Sequence, residues 1–184
     1  MGQLSLSDLK NTNRTFDNIL DSKFNHVSDA STFAQLTTTT HDNTIDAADV
    51  ATLTIPAGRL NAGSLICVKS AGYVLDNNGS NTLTPVLKIG STTLLTGAAL
   101  DVADNDVLML EAWIQVRTIG AAGTLVAVGK LNTDAGGTTT LVATTTSTAV
   151  DTTSSQAIVL NVDWSAANAD NEYRHLIHTC QIFG

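Results

Sequence analysis

The feature that most constrains this chain is the strict alternation of side chains in DVLMLEAWIQVRTIG, residues 106–120. Successive side chains of a β-strand point to opposite faces, so this alternation predicts a strand with one buried face. A helix would spread the apolar set around its axis, which argues against a helix here. The predicted buried face holds Leu108, Leu110, Ala112, Ile114 and Val116, and the opposite face holds Met109, Glu111, Trp113, Gln115 and Arg117.

The same period of two recurs later in the chain. The predicted inward residues are Leu83, Leu87 and Ile89 in TLTPVLKI, Ile158, Leu160, Val162 and Trp164 in QAIVLNVDW, and Leu176, Cys180 and Ile182 in EYRHLIHTCQIF. About eight to ten such strands, separated by turn residues, favour a sandwich or barrel over alternating strands and helices. We therefore predict an all-β fold, an antiparallel jelly-roll-like β-sandwich with a short N-terminal helical arm.

Two local signals in the strand region concern the path of the chain. The Asn-Gly pair in DNNGSN, residues 76–81, lies between two hydrophobic runs and predicts a β-hairpin. Pro85 lies inside TLTPVLKI and has no N–H to donate, which predicts an edge strand or a bulge.

His175 and His178 are three residues apart, so on a strand they should point to opposite faces and share no metal ion.

The N-terminal residues differ from the rest. We divide the chain into an arm, residues 1–30, and a β-sandwich domain, residues 31–184. A short apolar stripe in the arm has the spacing of one helix face. An isolated helix this short is marginal in water, so it should pack either on its own domain or on a partner. The candidate partner-docking residues are Leu9, Phe16, Ile19, Leu20 and Phe24.

Composition excludes some classes of partner. The chain has 184 residues and a formal net charge of −8, with nine scattered basic residues. Nucleic acids and anionic membranes are bound through clustered Lys and Arg, so we expect neither as a partner. We also expect no signal peptide and no membrane span. Cys67 and Cys180 lie in strand-like runs, and we expect two buried thiols, although a disulfide is left open.

The sequence carries little recognisable chemistry. No serine lies in a G-x-S-x-G nucleophile elbow, and no glycine-rich phosphate loop leads into a predicted helix. Asp101, Asp104 and Asp106 offer oxygen ligands of the kind that calcium prefers, but the run lacks the glycine and distal glutamate of an EF-hand, so turn formation is the favoured interpretation. We expect no enzyme, no catalytic residue, no cofactor and no metal.

Four motifs carry a resemblance over about residues 50–183. They are IPAGRLNAGS, AGYVLDNNGSNTL, IGAAGTL and VDTTSSQAIVLNVDWSAANADN. With these motifs the chain resembles jelly-roll virion proteins of tailed bacteriophages, a group of capsid decoration (cement) proteins, head fibres and tail-fibre domains.

The resemblance implies a structural role. It implies a decoration protein on the capsid surface, assembled in the host cytoplasm, that binds the major capsid protein through its arm and forms a homotrimer. The alternative is a receptor- or glycan-binding domain of a tail or head fibre. Its site would lie in exposed loops, such as residues 76–81 or residues 101–106.

Overall fold

A computed structural model describes residues 31–35, 39–42, 47–77, 79–135, 137–143 and 148–184. The predicted arm helix and its docking residues Leu9, Phe16, Ile19, Leu20 and Phe24 lie outside these ranges. Within these ranges, every element of regular secondary structure is a β-strand. The strands are β1 (Ser31–Gln35), β2 (Thr39–Asp42), β3 (Ala47–Ile55), β4 (Leu65–Asp76), β5 (Thr82–Ile89), β6 (Thr92–Thr96), β7 (Leu100–Asp101), β8 (Val107–Thr118), β9 (Gly123–Thr133), β10 (Gly137–Ala143), β11 (Thr148–Val150), β12 (Gln156–Trp164) and β13 (Glu172–Phe183).

The strands form two antiparallel sheets. The large sheet runs β1-β13-β4-β8-β9-β10, with β2 added to β13 and β11 added to β9. The small sheet runs β6-β5-β12-β3, with β7 added to β5. Strand β10 pairs with β9 at one end and with β6 at the other, so it joins the two sheets.

Both sheets contribute inward side chains to one hydrophobic core, as in a β-sandwich. The alternation predicted for β8 is confirmed, since Leu110 and Ile114 are buried while Met109 and Trp113 are exposed. The prediction for β12 is confirmed too, down to the buried Trp164. The apolar area removed from water by these faces drives the fold, at roughly 25 cal/mol per Å².

Strand β13 departs from the predicted alternation. Its pairing with β4 shifts register between His175 and Ile177, so one extra residue is inserted there. A bulge of this kind reverses the faces of the residues that follow it. Leu176 is therefore exposed, where the sequence predicted it beside the buried Cys180, and His175 and His178 are both buried. The prediction that the two histidines face opposite sides was wrong for this reason.

The Asn-Gly turn does not close a hairpin. Strand β4 pairs with β13 and β8 in the large sheet, while β5 pairs with β12, β6 and β7 in the small one. Residues 76–81 therefore carry the chain from one sheet to the other. The prediction of a β-hairpin was therefore wrong, because turn chemistry does not indicate which strand pairs with which.

Pro85 lies inside the small sheet, so the edge-strand interpretation was wrong. On one side β5 is paired with β12 throughout, and Pro85 is opposite Val162. On the other side, β5 pairs with β7 before Pro85 and with β6 after it. Between these two pairings, Gly97 N donates to Pro85 O at 2.8 Å. No ladder hydrogen bond is needed from the Pro85 nitrogen at that point, which is why proline is tolerated.

The two cysteines are both free thiols on neighbouring strands. Cys180 on β13 points into the core and is fully buried, as predicted. Cys67 on β4 is only half-buried, because it points to the outer face of the large sheet. The expectation of two buried thiols therefore holds for Cys180 alone.

Candidate functional site

The outer faces of the two sheets differ in character. The outward side chains of the small sheet include Thr52, Thr54, Thr84 and Lys88. The large exposed apolar side chains among the described residues lie on strands of the large sheet, apart from Ile119 in the loop after β8. These are Val107, Met109, Trp113, Val128, Leu176 and Ile177. Exposed apolar residues grouped on one face mark a contact surface more often than scattered ones do.

A charged row crosses the outer face of the large sheet. Glu111 on β8 bridges Lys69 on β4, at 3.5 Å, and Lys130 on β9, at 3.0 Å. The hydrogen bond from Lys130, with the positive charge of both lysines, holds the pKa of the Glu111 carboxyl below its usual range. This row divides the face into two apolar regions, one on each side.

The first region, called here the Met109 patch, consists of Val107, Met109, Leu176 and Ile177. Ile177 on β13 and Met109 on β8 lie opposite the same β4 residue, Ala71, so they belong to one row across three strands. Their side chains are 52% and 51% exposed. The β13 bulge creates this patch, because it turns Leu176 and Ile177 outward.

The second region, called here the Trp113 hollow, lies beyond the charged row. It has a volume of about 330 Å³. The residues that line it are Leu65, Trp113, Gln115, Arg117, Val126, Ala127 and Val128. Trp113 lies opposite Cys67 on one side and Val128 on the other, and its side chain is 39% exposed. An exposed tryptophan beside two planar polar side chains is an arrangement that can bind a ligand.

The two loops predicted as recognition sites lie against each other. Asn77 N donates to Asp104 Oδ1 at 2.9 Å, and Asn77 Nδ2 donates to the Val102 carbonyl. Together the loops line a hollow of about 500 Å³, called here the loop hollow. Its lining residues are Asn77, Gly79, Asp101, Val102, Ala103 and Asp104. The loops thus form one surface rather than two separate ones.

The same contacts bear on the calcium interpretation. Asp104 accepts from Asn77 N, and Asp106 Oδ2 accepts from Ala103 N at 2.8 Å, so both carboxylates cap backbone amides. The intervening Asn105 has a φ of 68°, a left-handed conformation that favours a turn. In the part of the chain that the structure describes, no three His, Cys, Asp or Glu residues are placed to hold a metal ion.

The most perturbed titratable groups lie in the core, away from these surfaces. His175 Nε2 is 3.2 Å from Ser70 Oγ and 2.7 Å from the Ile177 carbonyl oxygen. His178 Nε2 is 3.4 Å from the Ile158 carbonyl oxygen. Burial lowers the pKa of His175 and lowers that of His178 to about 4. The Ser70–His175 contact has the spacing of a nucleophile and a base, but both side chains are buried, so no substrate reaches them.

Sequence reasoning placed Trp113, Gln115 and Arg117 on one face but did not identify them as a site. The missing information was the pairing of β8 with β4 and β9, which adds Leu65 and Val126 to the same hollow. The stripe predicted to dock on a partner is not among the described residues. Within those residues, no helix is long and apolar enough to cross a membrane.

Comparisons with known proteins assign this chain to no family. No family model matches the sequence, and no curated protein matches it significantly. Among solved structures, the metal-free lectin I-B4 from Griffonia simplicifolia aligns with a TM-score of 0.35 and 9% identity, over 85% of this chain and 94% of the lectin. The binding domain of botulinum neurotoxin serotype C1 aligns with a TM-score of 0.33 and 11% identity, over 84% of this chain and 44% of that one. Similarity at this level carries no information about a ligand or partner.

Proposed function

We propose that this chain is a jelly-roll-type structural protein of a bacteriophage virion, in the role of a capsid decoration protein. The resemblance of its IPAGRLNAGS, AGYVLDNNGSNTL and IGAAGTL motifs to such proteins supports the virion setting. The observation that carries a docking role is the Met109 patch. The proposed partner is the major capsid protein, and the proposed assembly state is a homotrimer.

The Met109 patch suits a protein contact for two reasons. Its four apolar side chains are each about half exposed in the isolated chain, from 40% to 52%. Covering them would contribute about 1 kcal/mol each, since full burial of such a side chain contributes roughly 1.5–3 kcal/mol. The Lys69–Glu111–Lys130 row borders the patch on one side, which matches the charged rim of protein interfaces.

The arm supplies the second part of the proposed contact. Leu9, Phe16, Ile19, Leu20 and Phe24 would add apolar area at a neighbouring capsid subunit. A decoration protein that contacts two subunits at once gains affinity because the second contact forms within the same complex. The shell is then held together more strongly against internal pressure.

The decisive experiment mixes the purified protein with mature capsids that lack it, and measures co-sedimentation followed by cryo-electron microscopy of the pellet. We expect density at symmetry-related positions on the capsid. Met109→Glu and Ile177→Asp place charges in the patch and should reduce co-sedimentation strongly. Thr54→Glu, on the outer face of the small sheet, is the matched control and should bind like the unmodified protein.

A chain lacking residues 1–25 tests the arm separately. We expect it to fold and to lose capsid binding. Protein that remains in the supernatant with every capsid preparation would refute the decoration role. Normal binding by the Met109→Glu variant would instead refute the patch as the contact surface, and normal binding by the truncated chain would refute the arm.

A further inference from the structure

We propose that the Trp113 hollow is a binding site for a sugar that carries a carboxylate, such as a uronic acid unit of a polysaccharide. This proposal goes beyond the capsid contact, because it concerns the region on the other side of the Lys69–Glu111–Lys130 row. The two surfaces are separate, so each is tested without the other.

The shape of the hollow suits a sugar ring. A sugar has one face of C–H groups and an edge of hydroxyls, so it needs a flat apolar platform with polar groups beside it. Trp113 provides the platform, since its ring is large, rigid and partly exposed. Leu65 and Val126 add apolar walls. The volume of about 330 Å³ lies at the small end of the range for ligand sites, which fits one or two rings.

The polar groups lie in line with the platform. Trp113, Gln115 and Arg117 alternate along β8, so all three point outward, with Arg117 roughly 13 Å along the strand from Trp113 at the Cα atoms. The Gln115 amide both donates and accepts, which matches neighbouring hydroxyls on a sugar. The Arg117 guanidinium is a planar fork that binds a carboxylate with two parallel hydrogen bonds.

The charge of the hollow selects an anionic ligand. Its lining contains one cation and no carboxylate, in a chain whose net charge is −8. Within the described ranges, the Arg117 guanidinium has no ion-pair or hydrogen-bond partner of its own. The loop hollow has the opposite character, because Asp101 and Asp104 line it and would repel a carboxylate.

A sugar also fits better than an apolar side chain of a protein partner. An apolar group would cover Trp113 and Val128 but would leave the Gln115 amide and the Arg117 charge partly desolvated without partners. Burial of an unpaired charge is costly, so such an occupant would gain little. A carboxylate-bearing sugar satisfies both polar groups and the ring together.

The test is a titration of the full chain with methyl β-D-glucuronide. Methyl β-D-glucoside, which lacks the carboxylate, is the neutral control ligand. Binding is followed by tryptophan fluorescence and by NMR shifts, at sugar concentrations up to about 50 mM because single sugars bind weakly. Trp164 is buried and provides a constant background, so a fluorescence change reports Trp113. We expect saturable binding of the glucuronide, about tenfold tighter than that of the glucoside.

Variants assign the contacts. Arg117→Gln should abolish the preference for the glucuronide, and Trp113→Ala should abolish binding of both sugars. Asp104→Asn, in the loop hollow, is the control and should bind the glucuronide like the unmodified protein. Equal affinity for the two sugars, no saturable binding, or a preference retained in Arg117→Gln would each overturn the proposal.

Two further measurements distinguish this proposal from its alternatives. If the dipeptide N-acetyl-Leu-Glu amide shifts the Trp113 resonance and neither sugar does, the hollow is a peptide site and the proposal fails. Capsid binding is measured with the same variants. Arg117→Gln should retain it and Met109→Glu should lose it, so failure of one proposal leaves the other intact.

Discussion

The imidazole rings of His175 and His178 lie edge to face in the core, with their centroids 5.8 Å apart and their planes at 77°. Both side chains are fully buried, and the Nδ1 atom of each has no hydrogen-bond partner in the structure. The β13 bulge makes this pairing possible, because without it the two rings would point to opposite faces. Burial therefore lowers the pKa of both imidazoles and favours their neutral forms.

The first prediction is that acid lowers the free energy of unfolding through His178. The pKa of a histidine in the unfolded chain is about 6.5, whereas burial lowers the pKa of folded His178 to about 4. Between these values the unfolded chain holds more protons, so the free energy of unfolding falls as the pH drops from 6.5 to 4. Below pH 4 this group causes no further loss. The full effect of His178 is about 3 kcal/mol, measured as the urea midpoint at a series of pH values.

His178→Gln provides the comparison for this prediction. Glutamine stays neutral at every pH, so the variant should be less stable at pH 7 but should lose less stability on acidification. His175, whose pKa is also lowered, accounts for part of the remaining slope. Identical slopes for the variant and the unmodified protein would show that His178 is not the acid-sensitive group.

The bulge also shows what sequence reasoning could and could not predict. The alternation in β8 predicted every buried residue of that strand, because a regular strand has a period of two. In β13 the run HLIH gave no sign of the inserted residue, since Leu176 and Ile177 look like core residues in any simple pattern. The exposed Met109 patch could not be predicted for the same reason. A bulge is visible only in the pairing with β4.

Long-range pairing limited the prediction of the other sites as well. The Asn-Gly motif predicted a hairpin at residues 76–81, but the contact between Asn77 and Asp104 that the structure shows there depends on how the two sheets stack. Trp113 and Arg117 were correctly placed on one outward face. These two residues share a hollow with Leu65 and Val126 only because β8 lies between β4 and β9 in the sheet. Local side-chain patterns therefore predicted faces, and the topology determined the sites.

The second prediction concerns Gly72, which is buried on β4 opposite His175. A Cβ added at this position would overlap Tyr173 Oη and would lie 2.5 Å from the Arg174 carbonyl oxygen. Tyr173 is itself buried, so neither neighbour has room to move. We expect Gly72→Ala to destabilise the protein by about 1–3 kcal/mol or more, measured by chemical denaturation.

A double-mutant cycle with Tyr173→Phe isolates the clash with the Tyr173 hydroxyl from the other close contacts of the added Cβ. Removal of the hydroxyl relieves the contact with Tyr173 Oη, but it leaves the ring carbon Cζ of residue 173 at 2.6 Å and the Arg174 backbone oxygen at 2.5 Å from the added Cβ. The two substitutions should therefore couple favourably while leaving part of the cost. Simple additivity would mean that the hydroxyl does not crowd Gly72.

The third prediction concerns the reactivity of the two thiols. Burial raises the pKa of the Cys67 thiol, and it raises the pKa of the Cys180 thiol to about 12. The thiolate is the reactive form, and only Cys67 is partly exposed. Iodoacetamide at pH 8 should therefore label one thiol of the native chain, and both in denaturant, as counted by mass spectrometry. Cys67→Ser should abolish native labelling, whereas rapid double labelling of the folded protein would contradict the burial of Cys180.

The last prediction concerns a contact between two of the sequence motifs, IGAAGTL and VDTTSSQAI. Thr152 belongs to the second motif and is buried. Its backbone N donates to the Gly120 carbonyl at 3.0 Å, and its Oγ1 accepts from Gly120 N at 2.8 Å. Thr152→Val keeps the shape of the side chain but leaves Gly120 N without this acceptor. Because a lost hydrogen bond of this kind costs about 1–3 kcal/mol, the variant should unfold at clearly lower denaturant.

Thr153 is the matched control for this contact. Its Oγ1 donates to Asp151 Oδ1 at 2.6 Å, but the side chain is exposed, so water replaces the bond when it is lost. Thr153→Val should therefore cost much less than Thr152→Val, and Thr152→Ser, which keeps the hydroxyl, should recover most of the stability. If Thr152→Val and Thr153→Val cost the same, the hydroxyl at position 152 does not hold the two motifs together, and the backbone hydrogen bond between Thr152 and Gly120 is sufficient.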